Sequence, residues 1–259
     1  MLRAFGITGL PVISSGDDIG AMIAGRVRAM GVHVETGDVV VVAQAIVSKS
    51  EGCVVDLSRV KPTEDARHYA RITGKEPRLV QVVLDESKAV LGAYRGFILC
   101  ETRHGFVCAN AGVDQSNVGS GRVTTLPPDP DGSARRISES LESIFGHPVP
   151  VLICDSEGRP FRRGAIGVAV GVHGMDPVES MAGRRDLTGR ELETTEVCVA
   201  DMLCSSAALV MGEADEGIPA VVLRGFEPKG TGSSSDLLYE RDVMKERIMG
   251  GEMLDHPDN

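Results

Sequence analysis

The chain has 259 residues, of which 42% are hydrophobic, and a formal net charge of −10 at pH 7. This length allows a sizeable core, in one large domain or two small ones. The acidic balance argues against generic nucleic-acid binding, which requires a clustered surplus of Lys and Arg. No apolar run approaches the roughly 18 residues of a membrane span, and the N-terminus lacks the features of a secretory signal. We therefore expect a cytoplasmic protein that binds neither nucleic acid nor membrane.

The first half of the chain mixes helix and strand patterns. An apolar stripe predicts a helix over 17–30, capped by Ser14 or Ser15. The β-branched run Val39–Ala43 predicts a strand that is buried on both faces. The remaining predicted elements are a helix over 62–73 and short strands at 80–84, 90 and 97–100.

The second half begins with a proline-rich turn at 127–131. The elements predicted after it are helices over 133–145 and 194–211 and strands at 149–153, 166–172 and 221–223. These elements follow no regular βαβ order, so the sequence predicts an α+β fold with mixed sheets and packed helices. We expect one unit over 1–259, undivided or with two subdomains, and a frayed tail from about 252 to 259.

Six cysteines are present, and none of them forms a Cys-x-x-Cys pair. Their spacing matches no zinc site and no redox motif. Most of them lie in apolar runs, where a free cysteine behaves as a small hydrophobic residue. Cys108 and Cys154 border polar runs, but neither has an obvious base partner. A cysteine nucleophile is therefore not predicted.

The densest chemistry lies in two glycine-rich polar runs, 104–117 and 154–164. Each places an aspartate, Asp114 or Asp155, after a short apolar run and beside hydroxyl or amide side chains. Mg²⁺ is usually held by one or two carboxylates together with substrate phosphates, and glycines let backbone N–H groups approach such phosphates. The runs indicate a metal–phosphate site, although an aspartate in such a loop is also a common turn former or helix cap.

An acidic segment, 211–217, follows the long predicted helix. Acidic residues such as Glu213 oppose the dipole at a helix C-terminus unless a cation lies close. A second metal ion would supply that charge. A solvated acidic loop is the alternative.

Basic residues near these runs are candidates for binding anions. Lys49 follows the strand expected over 39–47, in a stretch that resembles a phosphate-binding turn in outline. It is not a Walker A motif, because the spaced glycines before the lysine are missing. Lysine can neutralise a phosphate as a compact point charge. Arg159, Arg162 and Arg163 form a basic patch beside Asp155 that could bind an anionic substrate. The alternative for Lys49 is an ordinary surface lysine at a strand end, and the alternative for the arginines is surface solvation or pairing with Asp and Glu.

Taken together, these stretches resemble the coenzyme F420:L-glutamate ligase family, whose members add γ-linked glutamates to a deazaflavin cofactor. The resemblance runs over most of the chain. The matching stretches are Gly9-Leu-Pro11, Gly16-Asp-Asp18, 43–52, 104–118, 126–131, Asp155-Ser-Glu-Gly-Arg159, Arg163-Gly164, Asp186-Leu-Thr-Gly-Arg190 and Met211-Gly-Glu213.

The resemblance implies a GTP-dependent amide ligase with a family-specific fold, two Mg²⁺ or Mn²⁺ ions, K⁺ as a further candidate ion, and an intertwined homodimer. It assigns the two divalent ions to Asp114, Asp155, Ser156 and Glu213. Ser156 stands where many relatives carry Thr, which keeps the hydroxyl. The residues that it assigns to the nucleotide are Gly9, Leu10, Pro11, Val12, Gln44, Ala45, Lys49, Asn117, Met211, Gly212, Glu213, Ala214, Asp215, Glu216, Gly217 and Ile218.

The implied reaction proceeds through an acyl phosphate. The γ-phosphate of GTP passes to the carboxylate of coenzyme F420-0, and the amine of L-glutamate then displaces phosphate, giving F420-1 and F420-2 with release of GDP. Phosphoryl transfer needs mainly positioning and neutralised charge, roles that fall to Asp114, Asp155 and Lys49. Residue chemistry alone leaves two rivals open, a regulatory module that binds metal and nucleotide without ligase activity, and a deazaflavin oxidoreductase.

Overall fold

A computed structural model describes residues 1–159 and 162–239, and the tail predicted at 252–259 lies outside this part. The helices of the described part are α1 (Ile19–Ala29), α2 (Gln44–Ser50), α3 (Glu64–Thr73), α4 (Pro77–Asp85), α5 (Pro130–Phe145) and α6 (Val199–Met211). Its strands are β1 (Arg3–Gly6), β2 (Val39–Ala43), β3 (Val54–Asp56), β4 (Ser87–Tyr94), β5 (Phe97–Thr102), β6 (Val107–Ala109), β7 (Arg122–Thr124), β8 (Val151–Arg159), β9 (Arg162–His173), β10 (Val178–Ser180), β11 (Glu196–Cys198) and β12 (Ala220–Arg224). The predicted α+β class is confirmed.

A five-stranded mixed sheet in the order β1-β12-β2-β8-β9 forms the centre of the fold. Strands β2 and β8 are parallel, and the other neighbours are antiparallel. Helices α1 and α5 cover one face, where Val40 and Val42 are buried. Helix α6 covers the other face, where Val39 and Val41 are buried. The prediction that β2 is buried on both faces is confirmed, because a strand covered by helices on both sides exposes neither row of side chains.

A separate apolar cluster lies under α3, α4 and the small sheet β4-β5-β6. Ala66 and Ala70 of α3 and Val80 and Val83 of α4 pack there with Ile98 of β5. Within residues 1–159 and 162–239, no helix is both long and apolar enough to cross a membrane. The division of the chain into subdomains stays a prediction.

The strand predicted at 80–84 is wrong, because these residues belong to α4. Glu76 caps this helix by accepting a hydrogen bond from Leu79 N at 3.0 Å. Pro77 occupies the first turn, where its missing N–H costs nothing. The β-branched run favoured a strand, but the cap and the one-sided burial of the apolar residues favour a helix more strongly.

Other helix boundaries also differ from the predictions. Asp18, rather than Ser14 or Ser15, caps α1 by accepting from Ala21 N at 2.9 Å. Helix α5 begins at Pro130, inside the predicted turn, because the Asp129 carboxylate accepts from Gly132 N at 2.9 Å. Helix α6 begins at Val199 rather than 194, since 196–198 pair with β10 as strand β11.

Two corrections place the candidate site residues. Strand β2 ends at Ala43 instead of continuing to 47, and α2 begins at the next residue, so Lys49 lies on a helix. Strand β8 starts at Val151 and continues through Asp155 to Arg159, where a loop was expected. The polar run 154–164 is therefore mainly a β-hairpin, in which Asp155 pairs with Val168 of β9.

Candidate functional site

A cavity of about 750 Å³ opens beside the end of β2 and the middle of β8. Residues 10–13, helix α2, the segment 108–117 and the loop 211–219 after α6 also contribute to its walls. The cavity therefore gathers segments that lie far apart in the sequence. The predicted site residues that line it are Leu10, Pro11, Val12, Gln44, Ala45, Lys49, Asp114, Asn117, Asp155, Ser156, Met211, Gly212, Glu213, Ala214, Asp215, Glu216, Gly217 and Ile218.

Among the metal and nucleotide residues that the resemblance assigns, Gly9 alone lies outside the cavity lining. It has a positive φ of 73°, and a Cβ added there would lie 2.6 Å from Arg26 Nη2. Arg26 Nε in turn donates to Thr8 O at 2.9 Å. Gly9 therefore shapes the turn that leads to the lining residues 10–12.

Three carboxylates and one hydroxyl lie along one side of the cavity. Asp114 forms an isolated β-bridge with Thr124, and its Oδ1 accepts from Ser116 Oγ at 2.9 Å. Asp155 Oδ1 accepts from the backbone N–H of Ser156 at 2.9 Å. Ser156 Oγ donates to Glu213 Oε1 at 2.7 Å, which joins β8 to the loop after α6. The acidic residues predicted to share a site therefore line the same cavity.

The pKa of Asp155 reflects this crowding of negative charge. Burial, together with the charges of Asp114 and Glu213, raises it to about 7, against the hydrogen bond from Ser156 N, which lowers it. Like charges at close range disfavour ionisation, whereas a bound cation favours it. The buried carboxylate is thus held in a setting where a cation would stabilise its charged form.

The donor set fits a hard divalent ion, because carboxylate and hydroxyl oxygens are what Mg²⁺ and Mn²⁺ bind. No group of three or more His, Cys, Asp or Glu side chains in residues 1–159 and 162–239 is arranged to hold a metal ion by itself. Mg²⁺ in proteins is usually bound by one or two carboxylates, and water and substrate phosphates are its other ligands. The four predicted ligands are therefore compatible with ions shared between protein and nucleotide.

Lys49 supplies positive charge in the cavity wall. Burial lowers the pKa of its ammonium group, and the negative charge of Asp114 opposes that shift. Asn117, nearby in the lining, has a φ of 55° in the left-handed region, which a non-glycine residue adopts at some cost. Strain of this kind concentrates at ligand-binding loops.

The polar lining residues to which sequence reasoning gave no role in the site include Cys108, Asn110 and Glu157. Burial, followed by the charges of Asp155 and Asp201, raises the pKa of Glu157 to about 7. Burial also raises the pKa of the Cys108 thiol, so this cysteine is a poor nucleophile at neutral pH. The alternation of a strand, in which residues 155 and 157 share a face, could have identified Glu157.

The basic patch lies beyond the cavity wall. Arg159 ends β8, and Arg162 and Arg163 begin β9. None of the three lines the cavity, although Glu157 and Gly158, which immediately precede Arg159, do. The patch therefore adjoins the cavity along the hairpin.

A model of the family F420-0:gamma-glutamyl ligase matches residues 8–225. The chain belongs to this family. The matched range includes the stretches that resemble F420-0:gamma-glutamyl ligases, from Gly9 to Glu213. It also includes all the segments that line the cavity. The family predicted from the sequence is confirmed, and with it membership of a family of C–N ligases.

Curated relatives from archaea have similar lengths. The coenzyme F420:L-glutamate ligase of Methanothermobacter thermautotrophicus is 50% identical over 245 residues, which are 93% of this chain and 97% of the relative. The protein of the same name from Methanocaldococcus jannaschii is 49% identical over 215 residues, 82% of this chain and 86% of the relative. The one from Archaeoglobus fulgidus is 43% identical over 246 residues, 94% and 96% of the two chains. The likeness to F420-0:gamma-glutamyl ligases therefore extends over nearly the whole of each protein.

Proposed function

We propose that the protein joins L-glutamate to coenzyme F420-0 through γ-linked amide bonds, using GTP and giving F420-1 and F420-2 with GDP and phosphate. The relatives that are 43–50% identical are named coenzyme F420:L-glutamate ligases. The observation that carries the proposal is that a single cavity is lined both by the carboxylates Asp114, Asp155 and Glu213 and by the segments assigned to the nucleotide.

The chemistry requires a carboxylate to be activated before an amine can attack it. In the proposed reaction, a carboxylate oxygen of the acceptor attacks the γ-phosphorus of GTP, and the bond to GDP breaks. The amine of glutamate then attacks the carbonyl carbon of the acyl phosphate, the C–O bond to phosphate breaks, and the amine loses a proton. Neither step needs a covalent enzyme intermediate, which agrees with the raised pKa of Cys108.

The chain's own groups would position the reactants and balance charge. Lys49 lines the cavity, where it would contact a phosphate oxygen. Leu10, Pro11 and Val12 on one side and the loop 211–218 on the other would enclose the nucleotide. Holding the reacting groups together is the largest contribution that a protein makes to phosphoryl transfer.

Asp114, Asp155, Ser156 and Glu213 would hold two Mg²⁺ or Mn²⁺ ions. When bound, such ions neutralise the charge that develops on the phosphate oxygens. Ser156 would contribute its hydroxyl oxygen, which now donates to Glu213. We also expect a homodimer, which light scattering of the purified protein would test.

The test of this function is an assay of the purified protein with GTP, L-glutamate, Mn²⁺ and F420-0, with products identified by mass spectrometry. We expect masses that increase by one and then two glutamyl residues, together with GDP. Parallel reactions without GTP, without metal, or with ATP in place of GTP should give little product. Binding of GTP without any glutamylated product would instead indicate a regulatory module.

A matched variant pair controls for the overall acidity of the chain. Glu139→Gln removes an exposed carboxylate of α5 that does not line the cavity, and it should leave the assay unchanged. Glu213→Ala removes a carboxylate from the cavity wall and should reduce the product. Equal activity of the two variants would contradict the assignment of this cavity.

A further inference from the structure

Two arginines face each other across the β8–β9 hairpin. Arg159 and Arg162 are direct partners in the strand register, and the pairing is irregular between Gly158 and Arg159. Like charges directly opposite each other destabilise a strand pair. An anion or solvent must therefore offset the repulsion between the two guanidinium groups.

Among the residues that the structure describes, no carboxylate provides this negative charge. Within residues 1–159 and 162–239, no carboxylate lies within 4.0 Å of the guanidinium of Arg159, Arg162 or Arg163, whereas six other arginines there form ion pairs. This is notable in a chain with 37 acidic and 27 basic residues, where a carboxylate is easily found. The hairpin therefore keeps its positive charge available.

Arg159 is not a freely solvated surface residue. It is half-buried, and its Nε is buried without a hydrogen-bond partner in the described part of the chain. Its guanidinium donates a long hydrogen bond from Nη2 to Arg163 O at 3.5 Å. A buried N–H group without a partner is costly. A ligand oxygen would satisfy it.

The pair lies next to the reaction cavity. The four residues before Arg159, from Asp155 to Gly158, all line the cavity. A strand rises about 3.3 Å per residue, so Arg159 lies roughly 13 Å along β8 from Asp155. An extended substrate whose reacting group sits near Asp155 can therefore reach the arginines.

We propose that Arg159 and Arg162 bind an oxyanion, a carboxylate or a phosphate ester, of the substrates other than the nucleotide. The proposal rests on the proposed ligase function, in which L-glutamate carries two carboxylates and F420-0 carries a carboxylate and a phosphate ester. The carboxylates that line the cavity, including Glu157 two residues before Arg159, repel such groups. A guanidinium binds an oxyanion with two parallel hydrogen bonds, which fixes its orientation.

The test is steady-state kinetics of Arg159→Gln and Arg162→Gln with each substrate varied in turn. Loss of a charge-assisted hydrogen bond to a substrate raises KM by about 10-fold or more. An increase in KM for L-glutamate identifies a glutamate carboxylate as the ligand, and an increase for F420-0 identifies the acceptor. The KM for GTP should stay within about 2-fold, because the proposal assigns the pair to the substrates other than the nucleotide. Arg159→Lys, which keeps the charge, should recover part of the loss.

Two control variants remove the same charge elsewhere. Arg95→Gln changes an exposed arginine of the turn between β4 and β5, and Arg71→Gln changes an exposed arginine of α3. Both should keep near-normal KM values. Unchanged KM values for both substrates in Arg159→Gln and Arg162→Gln, or an equal rise in the two control variants, would overturn the proposal.

Failure of the proposed function gives a different result. If the wild-type protein forms no glutamylated product, the ligase function is wrong, whatever the arginines do. Calorimetric titration of L-glutamate and of F420-0 into the wild type and Arg159→Gln does not depend on turnover. Weaker binding of one of these ligands to the variant supports the arginine site, and equal binding of both ligands contradicts it.

Discussion

Ser156 and Glu213 are hydrogen bonded at 2.7 Å, from Oγ to Oε1, although 57 residues separate them in the sequence. Ser156 lies on β8 in the central sheet, and Glu213 lies in the loop that follows α6. Both residues line the cavity, and both were assigned to the metal ions on the strength of the family resemblance. This contact joins the loop after α6 to strand β8, which carries Asp155.

Ser156→Ala and Ser156→Thr test the importance of the hydroxyl group. We expect Ser156→Thr to keep most of the glutamylation activity, since it retains the oxygen and suits a strand. Ser156→Ala should lower kcat/KM for GTP by about 10-fold or more, because an oxygen ligand and the contact with Glu213 are both lost. Comparable activity of the two variants would show that the hydroxyl has no role.

Asp155→Asn should abolish glutamylation, with a loss of at least about 100-fold in kcat. The variant loses a ligand charge, yet its fold should be intact, because burial already penalises the carboxylate and raises its pKa. Thermal denaturation without metal should show an equal or higher Tm than the wild type. Near-normal turnover would show that Asp155 does not hold a metal. Glu139→Gln serves as the control.

The pKa of about 7 at both Asp155 and Glu157 predicts a pH dependence. Between pH 4 and 7 these two carboxyl groups stay protonated in the folded protein but are ionised in the unfolded chain. The free energy of unfolding of the metal-free protein therefore falls as the pH rises through this range. The slope is at most about 1.4 kcal/mol per pH unit for each group. Mg²⁺ requires the charged form of its carboxylate ligands, so its stabilising effect should increase from pH 6 to pH 8.

Differential scanning fluorimetry with and without Mg²⁺ at these two pH values measures this effect. The metal-induced increase in Tm should be larger at pH 8 in the wild type and should nearly disappear in Asp155→Asn. An increase in Tm that is independent of pH would mean that the ion does not compete with a proton on Asp155.

Local chemistry made part of the fold predictable. The four consecutive valines of β2 fit only a strand without a solvent face, and helix α3 begins with a Thr63 cap and ends at Gly74, close to the bounds expected from its pattern. The sequence could not show that β12 inserts between β1 and β2, since such pairing depends on residues far apart in the chain. Helix α4 was missed because β propensity outweighed the cap at Glu76.

The site was predictable in its residue types but not in its geometry. Polar runs identified Asp114 and Asp155, and the family resemblance added Glu213 and the nucleotide segments. Asp155 was expected in a loop, yet it lies within β8, because the hairpin continues the ladder through the polar residues. Glu157 was overlooked for the same reason, since its place in the cavity follows from strand alternation.

Gly9→Ala should weaken nucleotide binding and lower stability by about 1–2 kcal/mol. The positive φ of 73° disfavours any side chain, and the new Cβ would displace Arg26. The turn before the lining residues 10–12 would then shift, so KM for GTP should rise. Gly16→Ala is the matched control, since it has a φ of 92° but no heavy atom within 4 Å of an added Cβ. It should lose stability without a change in KM, and equal KM values for the two variants would contradict this role of Gly9.

Arg224→Met should destabilise the protein by about 3 kcal/mol without affecting the reaction at low temperature. Arg224 binds Asp38 through two hydrogen bonds, Nε to Oδ1 at 2.9 Å and Nη2 to Oδ2 at 2.8 Å, and the Asp38 side chain is only 1% exposed. Removing the arginine leaves a buried carboxylate without its cationic partner. Arg67→Met is the control, because it breaks an exposed ion pair with Glu64 and should lower the free energy of unfolding by less than about 1 kcal/mol. The pair lies at the start of β2, and the cavity lies at its end, so KM values should be unchanged. Urea denaturation gives the free energies of unfolding, and equal losses in the two variants would show that burial of Asp38 does not govern the effect.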